Sequence, residues 1–405
     1  MYKIKKPELM SPVGNWEMLK AAIDAGADAV YFGIKNFNMR ANARNFTIED
    51  LSKITDYCHK NNVKAYLTLN IIIYEDELIT VEEVLKAARQ AEIDMVICWD
   101  LSVLKKAKDV GLDVCISTQA SISNSSSANF YKSLGAKRIV LARECTLDQI
   151  KKIRSETDLE IEAFIHGAMC ISVSGRCFLS HHLFNKSANR GECMQPCRRK
   201  YLIYDKEESG NSMLVGEDYV MSAKDLCTIN FIDKLIEAGI DSFKIEGRKR
   251  SPEYVFAVTN AYRKAIDLYF KNELTEDKKN FFLDSLKSVF NRGFSSGFYF
   301  GKPSSEDFAE TRGSMATMKK EYVGKITNYY QNIKVASLIM NSGKLEVGDE
   351  ILIQGEKTGS IKTKINILRL DNNKIQSAVK GQEISFELDK KIRENDRVYL
   401  VRQIS

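Results

Sequence analysis

The chain has 405 residues, 44% apolar and 28% charged, with 60 basic against 54 acidic side chains and a net charge of +6. This length suits two or three domains, and this balance excludes a disordered chain. Five prolines and 22 glycines exclude a collagen-like chain, and no run reaches the roughly 18 consecutive apolar residues of a membrane span. The N-terminal MYKIKKPELMSP is basic but has neither an apolar core nor a small-residue cleavage site. The expected compartment is therefore cytoplasmic, with no membrane partner. The mild positive charge permits RNA binding without requiring it.

PELMSPV (7–13) reads as a first strand and 16–25 as a first helix. One phrase then recurs: a helix end, a Gly or Asp turn, and a short apolar run. It appears as AGADAVYFG (25–33), EIDMVICWD (92–100), GLDVCIS (111–117), LGAKRIVLAR (134–143) and AGIDSFKIEG (238–247). VKAYLTLNI (63–71) and EIEAFIHG (160–167) complete a set of eight strands, with helical segments between them at 47–61, 81–91, 101–110, 125–134 and 146–155. Glycine before the turn suits a helix C-cap. The runs are too apolar to alternate, as expected of parallel strands buried on both faces. Eight βα units predict an α/β fold, a TIM-like (β/α)8 barrel. An open doubly wound sheet is the alternative, but the turn SPVGNWE lacks the glycine pattern G-x-G-x-x-G.

About 75 residues separate strands seven and eight, and loops this long inside a compact domain are usually functional. Residues 252–292 read as helical. From about 320 the chain breaks into short alternating segments such as IKVASLIM and DEILIQG, which predict a small C-terminal all-β barrel. The expected division is a barrel domain over 1–305 with a cysteine-rich insertion at 168–220, a linker over 306–318, and a β-barrel domain over 319–405.

Nine cysteines, an odd number in a chain expected to be cytoplasmic, argue against a disulfide framework. Cys170, Cys177, Cys193 and Cys197 fall within 28 residues at spacings x6, x15 and x3. An iron–sulfur cluster needs four converging thiolates, and Gly167, Gly175 and Gly191 would let backbone approach its sulfides. Zinc competes: the x3 pair fits a structural zinc site and the x6 pair fits badly. Four buried free thiols are the third reading. Cys227 is near enough in sequence to serve as a replacement ligand, but its setting, SAKDLCTINFIDKL, reads as the start of a helix and favours core packing. Cys58, Cys98, Cys115 and Cys145 read as small buried hydrophobes.

Other candidates follow the strands. FNMRANARNF (37–46) offers Arg40, Asn42 and Arg44 at the barrel mouth, suited to a carboxylate or phosphate. Asn70, Gln119, Arg143 and Glu144 stand at or just past strand ends, where barrel side chains meet substrate. Lys244 and Glu246 are two apart and share a face of strand eight, with Arg248 following. An acid between cations suits an ion pair or proton handling, so Glu246 is a catalytic candidate. His166 ends strand seven and would donate to substrate or bond a backbone carbonyl. The basic runs RRK (198–200) and RKR (248–250) flank the presumed mouth and would grip phosphates.

Proteolytic chemistry finds little support in the residues themselves. No H-E-x-x-H occurs among the four histidines, and the one G-x-S-x-G, Gly293 to Gly297, follows a helix where a nucleophile elbow needs a strand. His166 and Cys170 are near each other in sequence, but Cys170 is better used as a ligand.

The stretch EAFIHGAMCISVSGRCFLS (162–180) contains Glu162, Phe164, Gly167, Ala168, Met169, Cys170, Gly175, Cys177, Leu179 and Ser180. These meet every fixed position of E-x-F-x2-G-[SA]-[LIVM]-C-x4-G-x-C-x-[LIVM]-S, so the stretch resembles the signature of the collagenase-like peptidases, a family of unassigned catalytic type. The resemblance extends through PELMSPVGNWEMLKAAIDAGADAVYFG, TQAS, LARE, NRGECMQPCRRKY and FKIEGRKRSPEYV, about 300 residues in all. The branch with GECMQPCRRKY is similar to the tRNA hydroxylation proteins. That resemblance implies an oxygen-independent enzyme carrying a 4Fe–4S cluster and forming 5-hydroxyuridine at the wobble position of tRNA. It also implies prephenate, a small carboxylate, as hydroxyl source. By motif match the cluster ligands are Cys170, Cys177, Cys193 and Cys197, although some branches take the fourth from elsewhere. The wobble base is already unpaired, so splaying it into a pocket is feasible. The alternatives are a collagenase-like peptidase and a non-catalytic RNA-binding protein with structural zinc.

Overall fold

The recurring helix-to-strand phrase folds alike each time. Helix Trp16–Asp24 starts at Asn15, whose side chain accepts from the Met18 N–H at 2.9 Å, and carries Glu17 in its first turn. Its exit turn uses Gly26 at φ +89°, the left-handed conformation glycine adopts freely. In the unit without a turn glycine, Glu92 takes the same position at φ +55°. Asp100 and Thr146 cap later helices through Ser102 N and Gln149 N.

The strands these helices connect are β1 (Glu8–Pro12), β2 (Ala29–Phe32), β3 (Lys64–Thr68), β4 (Met95–Cys98), β5 (Val114–Ile116), β6 (Arg138–Val140), β7 (Glu160–Ala168) and β8 (Ser242–Ile245). In this computed structural model, which describes residues 4–41, 43–201, 203–204, 214–216, 221–311 and 313–404, they pair in parallel in sequence order. β8 pairs with both β7 and β1, closing a TIM-like barrel with helices outside it. Leu9, Val30, Leu67, Val96, Ile116 and Ile161 are fully buried in its strands.

Toward the floor of the barrel the interior is ionic. Arg138, 2% exposed, donates to Glu8 at 2.6 Å, Glu160 at 2.8 Å and Glu162 at 3.3 Å. Glu162 is fully buried and also accepts from Lys244 at 2.8 Å. Burying these charges costs desolvation energy, which their mutual pairing offsets.

β7 is nine residues long and runs past its neighbours. Its upper edge takes an extra antiparallel strand, Asp225–Cys227, with Cys227 opposite His166. Cys227 thus sits in a strand ahead of helix Ile232–Glu237, not at a helix start: backbone pairing to β7 overrides the local helical pattern. Its thiol contacts the Tyr262 hydroxyl at 3.8 Å. The part of the expected insertion over 202, 205–213 and 217–220 lies outside the described residues.

The C-terminal region is all antiparallel β, an eight-stranded sheet around its own core of Val323, Ile326, Leu338, Ile353, Phe386 and Leu400. Strand Val335–Met340 alternates half-buried with buried residues, the pattern of a sheet with one face on a core. The unit docks on the barrel through charge. Arg397 reaches both oxygens of Glu17 at 2.7 and 3.0 Å, and Lys320 and Gln354 each reach Glu253 at 2.7 Å. Glu17 and Glu253 stand in the first turns of the helices that follow β1 and β8, so the β unit sits beside the barrel mouth. Among the described residues no helix is long and apolar enough to cross a membrane.

Candidate active site at the barrel mouth

The C-terminal ends of the strands open into a cavity of about 550 Å³. Arg40, Asn70, Gln119, Arg143, Lys244, Glu246 and Arg248 line it, and so do Cys170, Cys177, Cys193 and Cys197. Residues as far apart in sequence as Tyr31 and Arg250 meet here because a closed barrel brings every βα loop to one rim.

Arg40 and Glu246 form the principal ion pair of the cavity, Nη2 to Oε1 at 2.8 Å with Nε at 3.2 Å. Burial alone would raise the Glu246 carboxyl, but the charges of Arg40, Arg143 and Arg248 outweigh it and hold it at about 2. Arg248 is only 4% exposed, yet its Nη1 donates to neutral acceptors, Asn38 Oδ1 at 3.0 Å and Thr68 Oγ1 at 3.2 Å. Burial pulls its guanidinium down to about 10, still cationic at neutral pH. Arg143 donates to the Ala168 carbonyl at 2.6 Å and stacks 3.9 Å from the Phe164 ring centroid. Lys244, anchored by Glu162, lies 4.5 Å from the centre of the Tyr31 ring. The cavity lining thus carries several cations and a single carboxylate, Glu246. Opposite them, Asn70, Ser117 and Gln119 form a neutral hydrogen-bonded wall: Gln119 Nε2 donates to the Asn70 carbonyl at 3.0 Å and Ser117 Oγ to Gln119 Oε1.

The cysteine loops are fastened from several sides. Glu144 accepts from the Ser174 N–H at 2.9 Å. Arg198, expected in a phosphate-gripping run, is instead 6% exposed and donates to the Met169 and Ala223 carbonyls and to Ser222 Oγ at 3.0 Å. Its role is internal, because backbone carbonyls near the extra strand need a donor. Gly191, at φ +84°, was expected to approach a sulfide. It instead approaches the loop after β2, where a Cβ would come within 2.2 Å of the Asn38 carbonyl oxygen. Cys170 is exposed, and Cys177, Cys193 and Cys197 are half-buried. Leu179 N–H donates to Cys177 Sγ at 3.3 Å and Gln195 N–H to Cys193 Sγ at 3.4 Å. Burial pushes the Cys197 thiol up to about 11, with Arg198 opposing and Cys170, Cys193 and Cys177 each adding to the rise. Among the described residues no three His, Cys, Asp or Glu side chains stand close enough together to hold a metal ion.

Three sequence candidates fall elsewhere, and a fourth lies outside the described residues. His166 is 1% exposed and sits behind the cavity wall, its Nδ1 3.3 Å from the Tyr262 hydroxyl and its ring among Tyr254, Tyr262 and Phe294. It faces outward from β7 into the covering layer because the pairing register slips there: Lys244 stands opposite Phe164 but Ile245 opposite His166, and this bulge breaks the alternation that would put His166 on the face of Glu162 and Phe164. Arg44 is exposed and not part of the lining: the loop turns at Asn45, whose amide donates to the Arg40, Ala41 and Ala43 carbonyls. Glu144 is turned to the cysteine loop as described. Asn42 lies outside the described residues. Conversely, Tyr31 and Thr68 line the cavity without having been singled out. Both carried only a strand-interior signal.

The imidazoles and the G-x-S-x-G segment show no catalytic constellation among the described residues. His59 meets Asp94 on the outer surface, and Ser295 lies in the short strand Phe294–Ser295 with its Oγ accepting from Gly297 N–H.

Residues 14–309 match Peptidase family U32. The chain belongs to that family. It is 43% identical to a protein named collagenase from Porphyromonas gingivalis strain W83, over 97% of each chain. It is 38% identical to tRNA hydroxylation protein P1 of Bacillus subtilis, over 96% of this chain and 93% of that one. The 23S rRNA 5-hydroxycytidine C2501 synthase of Escherichia coli is 36% identical over 71% of this chain and 44% of its own. The family's relatives thus carry two kinds of name, one proteolytic and one for RNA hydroxylation.

Proposed function

We propose that this protein is an RNA-modifying enzyme that hydroxylates a pyrimidine base of tRNA, forming 5-hydroxyuridine at the wobble position. The observation that carries the reading is a single cavity shared by four cysteines and by cations that lack carboxylate partners. A peptidase has no evident use for that combination. The relatives named for tRNA and rRNA hydroxylation support it.

Cys170, Cys177, Cys193 and Cys197 would hold a 4Fe–4S cluster. Backbone N–H groups already donate to two of the sulfurs, the kind of bond that tunes such clusters. A four-iron cluster also spreads its ligands more widely than one zinc ion, in keeping with thiols that share a cavity without closing on a point. When bound, the cluster would supply electron transfer or orient the hydroxyl donor. Arg248 and Arg143 bind the carboxylate of a small organic acid, with prephenate as the candidate donor. Glu246 stays ionised and fixes Arg40; a carboxylate held near 2 is a poor proton acceptor at neutral pH, so its task is orientation. Lys244 presents an ammonium, fixed from below by Glu162, to the same space.

The test is nucleoside mass spectrometry of tRNA from a strain lacking its own 5-hydroxyuridine pathways and expressing this protein. Modified uridine should appear, and each cysteine changed to Ser should abolish it together with iron and acid-labile sulfide in protein purified without oxygen. Unmodified tRNA beside a loaded cluster overturns the reading. Zinc without iron or sulfide favours a structural zinc protein. The proteolytic reading rests on the name of the 43% identical relative. Cleavage of collagen by clean protein, lost on changing one nucleophile, would restore it.

A further inference from the structure

The cysteine insertion is strongly basic. Residues 166–201 hold six basic side chains and one acidic one. Three of the six are already used. Arg198 is internal, Arg190 pairs with Glu77, and Lys186 pairs with Glu192 at 3.5 Å. Arg176 and Arg199 are exposed with neutral contacts: Arg176 donates to Ser121 Oγ at 3.1 Å, and Arg199 lies over the Phe184 ring at 4.6 Å.

The same rim exposes large apolar side chains. Phe178 is 78% exposed, Val173 60% and Met194 47%. Cys177 and Leu179, on either side of Phe178, line the cavity, so this ring stands at its edge and faces out. An exposed apolar group rimmed by cations marks an interaction surface.

We infer that this rim is the reading surface for an unpaired RNA loop, with Phe178 as the platform on which a base beside the target stacks. The inference rests on the proposed RNA chemistry and adds how the RNA is held. Charge complementarity with a phosphate backbone comes from Arg176 and Arg199. The cavity beyond the rim, about 550 Å³, suits a splayed nucleotide and is too small for a folded domain. An exposed ring on a basic loop is suited to holding a single strand, since every base has a face to stack. A duplex has no unpaired base to offer it.

The experiment measures binding, not turnover. Full-length protein purified without oxygen is titrated with a fluorescent stem-loop RNA and with a fully paired duplex of equal length. Phe178→Ala should weaken stem-loop binding about tenfold or more, and Phe178→Trp should retain it, with duplex binding unchanged in both. Arg199→Ala and Arg176→Ala should each reduce the salt dependence by about one phosphate contact. Iron content and melting temperature, read on every variant, separate lost stacking from a damaged cysteine loop. Wild-type stem-loop affinity in Phe178→Ala overturns the inference. So does a result in which Phe178→Ala leaves RNA binding intact but abolishes binding of an acidic electron-transfer protein. Phe178-dependent binding without hydroxylation keeps this surface and removes the proposed reaction; hydroxylation with Phe178-independent binding does the reverse.

Discussion

Toward the floor of the barrel, Arg138 faces the carboxylates of Glu8, Glu160 and Glu162, and Lys244 faces the fully buried Glu162. At the mouth, Arg248 and Arg143 face an amide oxygen, a hydroxyl and a backbone carbonyl. Both ends bury arginine, but the floor pairs its cations directly with carboxylates, whereas the mouth gathers Arg40, Arg143 and Arg248 around one carboxylate, Glu246, and leaves the rest of the balance to something that binds. A buried cation whose hydrogen bonds go only to neutral groups costs stability that a purely structural site would avoid. Floor substitutions should therefore cost stability and mouth substitutions should cost function.

The largest effect is expected at Glu162. Glu162→Gln leaves Lys244 without a carboxylate and removes one of those facing Arg138, and should cost about 3–5 kcal/mol in urea unfolding. The double variant Glu162→Gln with Lys244→Met should recover part of that loss. No recovery would show that Glu162 acts mainly through Arg138. Next comes Arg248→Met, which should lower hydroxylation about a hundredfold while unfolding stability changes by about 1 kcal/mol or less. A large loss of stability there would place Arg248 with the floor. Glu246→Gln keeps the shape but frees Arg40, so a loss of about tenfold is expected, mostly in the concentration of co-substrate needed for half-maximal rate.

The barrel was legible because its phrase repeats and its strands are local runs. The grouping of Cys170, Cys177, Cys193 and Cys197 was legible because they are close in sequence. Which cation meets which carboxylate was not: Arg40 finds Glu246 across 206 positions and Arg138 finds Glu8 across 130. Closure of the sheet sets those partners, and no local pattern records them. For the same reason Arg198 read as a phosphate-gripping cation beside Arg199, although one is buried and the other exposed. The strand Asp225–Cys227 was missed because three residues carry no period, and only the overhanging edge of β7 makes them extended.

His166 gives the smallest effect at neutral pH and the sharpest check on the boundary between the cavity and its surroundings. Burial first, and the charge of Arg250 second, lower its imidazole from 6.5 to about 3. It is therefore neutral in the native protein at neutral pH. Below pH 6.5 the unfolded chain takes up a proton that the folded chain refuses, so stability is full above 6.5 and falls as pH drops toward 3. His166→Phe removes this dependence. Its stability relative to wild type should rise by on the order of 1–2 kcal/mol between pH 7.5 and pH 5. Hydroxylation at pH 7.5 should stay within about threefold of wild type, because the ring packs against Tyr254, Tyr262 and Phe294 and not against substrate. A hundredfold loss of rate at unchanged stability would instead put His166 in the chemistry and move the functional boundary one layer outward from the barrel.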